Sequence, residues 1–116
     1  METDKRQFER IPCELESTFV SLDADHRPIH ETVVEDLSEG GARFRTNRFL
    51  SVHQRLMMRL SVPGQKTLEI LAKPAWIREI PSTGQFDIGA KFLTLSEEDR
   101  VAIRGFLGSL RVLRAS

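Results

Sequence analysis

The chain has 116 residues and a mass of 13.3 kDa, enough for one domain with a single core. Apolar residues make up 40% and charged residues 29%, which excludes a collagen-like, low-complexity or wholly disordered chain. Lysine plus arginine and aspartate plus glutamate both count 17, so the basic excess of a protein that coats nucleic acid is missing.

Met1 to Arg10 has no apolar period, and Phe8 is its only large apolar residue after Met1. It is expected to be a flexible leader, and it lacks the apolar stretch of a secretory signal. From Cys13 to Leu22, Cys13, Leu15 and Phe19 share one parity and Glu14, Glu16 and Thr18 the other, which predicts a strand. Asp23 to Pro28 is turn chemistry, and Thr32, Val33 and Val34 favour a second strand over Ile29 to Asp36. A tight turn is predicted at Asp36 to Gly41. Gly41 to Thr46 and Arg55 to Val62 alternate again. Pro63-Gly64-Gln65 reads as a hairpin turn. Leu68, Ile70, Ala72, Trp76 and Ile80 then share parity, with Pro74 marking an edge or a bulge. After a turn at Pro81 to Gly84, Phe86, Ile88, Ala90 and Phe92 form the sixth strand. Ser96 with Asp99 resembles a capping box. The helix it opens runs to about Leu113, with Ala102, Phe106, Leu110 and Leu113 at helical spacing, backed by Val101, Ile103 and Leu107. Gly105 and Gly108 weaken that helix, and close packing on a sheet is their expected reason.

Six strands and a terminal helix predict an all-β domain, a six-stranded antiparallel barrel with one C-terminal helix laid against it. The expected division is leader 1–10, barrel 11–95 and helix 96–116, within a single domain. Apolar runs are short, as in Val101-Ala102-Ile103, so no membrane span is expected. The lone Cys13 forms no intrachain disulfide and fits a reducing cytoplasm.

Catalysis finds little support. His26 and His30 are four apart, but proline and β-branched neighbours argue against the helix that would align them on a metal. Cys13 has acidic neighbours, which raise a thiol's pKa and work against a nucleophile. No glycine-rich loop precedes a helix. An enzyme is therefore not expected, nor a cofactor. The basic residues are mostly arginine, a bias that suits bidentate anion recognition and that a GC-rich genome would also produce.

Two short segments stand out. Arg6 and Arg10 are four apart on the leader and can close on a dianionic or aromatic ligand; blandly, they belong to a solvated tail. Asp36, Ser38, Gly40 and Gly41 combine an acceptor, a hydroxyl and room for backbone approach; blandly, they form a capped β-turn. In this order the two segments resemble the R-x-x-x-R and [D/N]-x-S-x-x-G signatures of the PilZ domain family. Trp76-Ile77-Arg78 and Phe86-Asp87-Ile88-Gly89-Ala90-Lys91-Phe92 are similar to the family's closing strands.

The resemblance implies a six-stranded barrel with a C-terminal helix that binds cyclic di-GMP, a bacterial second messenger. It implies that Arg6 and Arg10 share the guanine O6 and N7 edge, ring stacking and phosphate pairing. Asp36 would accept from the guanine donor edge, Ser38 would donate to phosphate or base, and Gly41 would allow close approach. Trp76 would either stack on a guanine or sit in the core. Lys5, just before the first motif, favours two ligands over one, with a monomer or a ligand-dependent dimer. The expected action is a signalling switch: ligand orders the leader over the barrel, and the new surface acts on an unidentified effector protein. Two other readings stand beside it. One is a PilZ-like adaptor that binds protein without nucleotide. The other is a small-barrel RNA or single-strand DNA binder using a basic stripe of Arg43, Arg45, Arg55 and Arg59, against which the zero net charge weighs; no DNA, RNA or membrane partner is expected.

Overall fold

The computed structural model describes residues 9–23 and 25–115. Strands β1 (Ile11–Ser21), β2 (His30–Leu37) and β3 (Gly41–Thr46) form one antiparallel meander. Strands β4 (Leu56–Leu60), β5 (Leu68–Ile80) and β6 (Gln85–Phe92) form another. The meanders join at both edges, β3 to β6 and β1 to β4, and close a barrel of order β1-β2-β3-β6-β5-β4. Closure leaves no unpaired sheet edge. Helix α1 (Glu97–Ala115) follows β6. The predicted fold is the observed one.

Alternation places the core inside the barrel. Phe19, Val34, Phe44, Leu56, Met58, Leu60 and Ile88 are fully enclosed, and the rings of Phe19 and Phe44 meet at 5.1 Å. Leu50, in the loop between β3 and β4, also joins this core. Gly64 and Gly84 carry left-handed backbone, φ 76° and 71°, in the two predicted turns. Helix α1 begins as predicted, with the Ser96 hydroxyl accepting from the Asp99 amide at 3.0 Å. Its buried residues are Ala102, Ile103 and Leu107, with Phe106 and Leu110 packed at the margin.

The helix departs from the expected pattern in two ways. Val101 and Leu113 face solvent, 57% and 70% exposed. Gly105 and Gly108 do not pack on the sheet, since a Cβ at either would meet no atom within 4 Å. The apolar stripe runs through Ile103 and Leu107, so both glycines lie off the packed face.

The register slips at three places, in β1 against β2 between Pro12 and Leu15 and in β2 and β5, and the last two shape the polar surface. In β2 the register against β3 slips between Val34 and Asp36. Val34 and Leu37 point inward, and both intervening residues, Glu35 and Asp36, reach the outer face. In β5 the register against β6 slips between Pro74 and Trp76. Pro74 is buried and Ile77 packs on the core, while Ala75 and Trp76 face outward. A bulge inserts one extra residue and re-aims the side chains that follow. The parity that grouped Trp76 with Leu68 and Ile70 therefore breaks at Ala75, and Trp76 is not a core residue.

Candidate functional site

Four strands present one polar outer face. The register sets Asp36 of β2 opposite Arg43 of β3, Arg43 opposite Gly89 of β6, and Gly89 opposite Trp76 of β5. One step along, Arg45, Asp87 and Arg78 form a parallel row. The two bulges supply the ends of the first row, Asp36 and Trp76.

Arg43 is the hub. Its Nε donates to Asp36 Oδ2 at 2.7 Å, and its Nη1 donates to Asp87 Oδ1 at 3.1 Å. Nη1 also lies 3.5 Å from a Glu35 carboxylate oxygen. Donation to Asp36 first, and then to Asp87, raises the Arg43 pKa above its ordinary value, against the opposing pull of burial. Asp87 is 2% exposed and also accepts from Arg78 Nη2 at 3.0 Å. Arg78 in turn lies 5.7 Å from the Trp76 ring centroid, within cation–π range. Trp76 is half-buried, and its indole covers the backbone of Gly89, where a Cβ would overlap the ring.

Asp36 is satisfied on one side only. Its Oδ1 is buried and has no hydrogen-bond partner among the described residues. The Nε of Arg10 lies 3.8 Å from that oxygen, too far for a hydrogen bond. The sequence-predicted pair of Arg10 and Asp36 thus meets in space. Arg6 and Lys5 lie outside the described residues.

Ser38 and Gly41 work within the turn. The Ser38 hydroxyl accepts from the amides of Gly40 at 3.0 Å and Gly41 at 3.2 Å. The Ser38 amide donates to the Gly41 carbonyl at 2.9 Å. Ser38 is 5% exposed, so its hydroxyl braces the loop rather than facing outward. Gly41 is a glycine because β6 comes close: a Cβ there would overlap the Ala90 carbonyl oxygen. The close approach present in the structure is that of β6.

Both segments are tied to α1. Glu39, in the β2–β3 turn, accepts from Arg104 at 3.1 Å and lies 3.7 Å from Arg100. Glu9, next to Arg10, accepts from Arg111 at 3.3 Å. Each arginine of the basic stripe has a carboxylate neighbour among the described residues. Arg45 lies 3.5 Å from Glu35, Arg55 3.3 Å from Asp23 and Arg59 2.6 Å from Glu69.

Cys13 packs at the core margin, and its thiol lies 3.6 Å from the Val34 carbonyl. Burial first, and the Asp36 charge second, push its pKa up to about 11. The acid that acts on it is Asp36 across the β1–β2 pair rather than Glu14 or Glu16 beside it. His30 stacks against Phe19 at 5.0 Å. No group of three or more His, Cys, Asp or Glu among the described residues could hold a metal. Among the same residues, no helix is long and apolar enough to cross a membrane.

Sequence reasoning read the outward parity of Arg43 and the motif residues. It missed the roles of Glu35, Arg43, Arg78 and Asp87. The available signal was the aspartate at the centre of β6, which the structure buries under two arginines.

A closed six-stranded barrel with a C-terminal helix and a polar face beside the β2–β3 turn defines the class to which this domain belongs. A family model for the PilZ domain matches residues 4–109, and the chain belongs to that family. No curated protein matches it. Among solved structures it is similar to the Bacillus subtilis inhibitor of motility MotI/DgrA, with 15% identity and a TM-score of 0.75. That match covers 97% of this chain and 53% of the other. It is similar to the Escherichia coli YcgR PilZ domain with c-di-GMP, with 17% identity and a TM-score of 0.73. Here 96% of this chain and 95% of the other are covered. The K. pneumonia MrkH–c-di-GMP complex matches with 17% identity and a TM-score of 0.73, over 97% of this chain and 54% of MrkH. The chain therefore spans about half the length of MotI/DgrA and MrkH, and nearly all of the YcgR domain.

Proposed function

We propose that the chain is a cyclic di-GMP receptor domain, and that ligand binding alters the segment around Arg10 and the helix surface to regulate an effector protein. The observation that carries this reading is the half-satisfied Asp36. A buried carboxylate oxygen without a donor costs stability, and a guanine N1–H or N2–H would fill it. Arg10, beside that oxygen, turns from Asp36 to the ligand and, with Arg6, supplies guanidinium forks for guanine O6 and N7 or for phosphate. The exposed part of the Trp76 ring offers a stacking surface on the same face. Ser38 and Gly41 serve indirectly, by fixing the turn that follows Asp36.

Two neighbours, YcgR and MrkH, have structures with c-di-GMP, and they support the choice of ligand. The ion pairs Glu39–Arg104 and Glu9–Arg111 connect both halves of the site to α1. Movement of either half therefore changes what α1 presents to an effector.

The test is titration calorimetry with cyclic di-GMP on wild type, Arg6→Ala, Arg10→Ala and Asp36→Ala. Wild type is expected to bind. Each variant is expected to weaken binding by at least about tenfold, from loss of a charged hydrogen-bond partner. Folded wild type that gives no heat rejects the reading and favours the nucleotide-free adaptor.

A further inference from the structure

We propose that Arg43, held by Asp87, is a positioning residue that aims Asp36 at the ligand and so sets guanine selectivity; this rests on the cyclic di-GMP reading above. Asp36 has two oxygens and Arg43 takes one of them, Oδ2, through a short charge-assisted bond. That bond fixes the rotation of the carboxylate and leaves Oδ1 as the oxygen facing Arg10. Arg43 itself cannot turn freely. Its Nη1 is anchored on Asp87, a side chain 3% exposed, and lies near Glu35. Asp87 is anchored from its other oxygen by Arg78. The chain Arg78–Asp87–Arg43–Asp36 crosses four strands, so the acceptor is held by the barrel wall rather than by the turn alone.

This arrangement uses the shape of the guanidinium. Nε and Nη1 point to different carboxylates and hold both at once, which a lysine ammonium on a flexible stem does not reproduce. Arg43 is engaged by three carboxylates through Nε and Nη1, which offset its charge towards an anionic ligand. Its contribution is therefore expressed through Asp36. An acceptor held at a fixed angle to the exocyclic N2–H, rather than to the N1–H that hypoxanthine keeps, discriminates a guanine from an analogue without that amine, because the oxygen then stays unpaired.

The experiment compares cyclic di-GMP with cyclic di-IMP, which lacks the 2-amino groups, on wild type, Arg43→Lys and Asp87→Asn. Circular dichroism and thermal unfolding establish that each variant is folded. Wild type is expected to prefer cyclic di-GMP by about tenfold or more. Arg43→Lys is expected to weaken cyclic di-GMP about tenfold and cyclic di-IMP much less, so that the preference nearly disappears. Asp87→Asn keeps an acceptor for one arginine and is expected to move the preference in the same direction by a smaller factor. If Arg43→Lys does not fold, Asp87→Asn decides.

Equal weakening of both ligands would mean that Arg43 only supports the fold and would overturn the proposal. Unchanged binding in the folded variants, or a wild type that does not distinguish the two ligands, would do the same. Wild type that binds neither ligand rejects the receptor reading itself, and the proposal with it.

Discussion

The outer face over β2, β3, β6 and β5 and the outer face of β4 both carry arginines opposite carboxylates, yet the two are built differently. On β4, Arg59 meets Glu69 of β5 as an isolated pair, with side chains 61% and 53% exposed. Arg55, just before that strand, meets Asp23 in the same open manner. Water screens such pairs, and they contribute between about 0 and 1 kcal/mol. On the other face Arg43 is 24% exposed, Asp36 14% and Asp87 3%, and each member has more than one charged neighbour. Removing one partner there strands another in a poorly solvated place. The proposed site rests not on charge alone but on shared, half-buried charge with one acceptor unpartnered among the described residues.

The largest expected effect comes from Asp87→Ala. It leaves Arg43 and Arg78 without their common anchor, and urea unfolding is expected to show a loss of about 2 kcal/mol, reduced from the fully buried case because both arginines retain some water. A loss as small as that of an exposed pair would erase the difference between the faces. Gly89→Ala is expected to come next. The new methyl displaces the Trp76 indole and costs about 1–2 kcal/mol through overpacking. Trp76 is the only tryptophan, so its fluorescence is expected to shift towards that of a solvated indole and cyclic di-GMP affinity to fall. An unchanged spectrum would mean that the ring is not seated on Gly89.

Gly105→Ala supplies the opposite case. Its Cβ enters open space on α1, and the substitution is expected to raise stability by about 0.5–1 kcal/mol in the same unfolding assay. The smallest effect is expected at the β4 pair. Arg59→Ala should change stability by less than about 0.5 kcal/mol, with cyclic di-GMP binding unaltered. A clear binding defect there would extend the site onto β4 and blur the contrast between the two faces.

Much of this was legible in the chain. The period-two alternation of Phe19, Phe44, Met58 and Ile88, the turn chemistry and the Ser96 cap report local backbone preference and burial. They locate all six strands and the helix start. The approach of Arg10 to Asp36, 26 positions apart, was implied by the resemblance to the two family motifs, and the β1–β2 register brings them together. The helix face was read less well. Val101 and Leu113 fit a helical stripe as readily as Ile103 and Leu107 do, and only the position of the barrel selects between stripes.

By itself, the sequence determined the barrel class and the element order, because periodicity, glycine and proline placement and capping act within a few residues; that the two motif segments approach each other was implied by the family resemblance. The tertiary structure alone decided that Trp76 faces outward, that Gly41 and Gly89 make room for neighbouring strands, and that Arg43 links Asp36 to Asp87. A bulge exists only as an extra residue relative to a partner strand, and an ion pair across 44 positions exists only when the sheet brings its ends together.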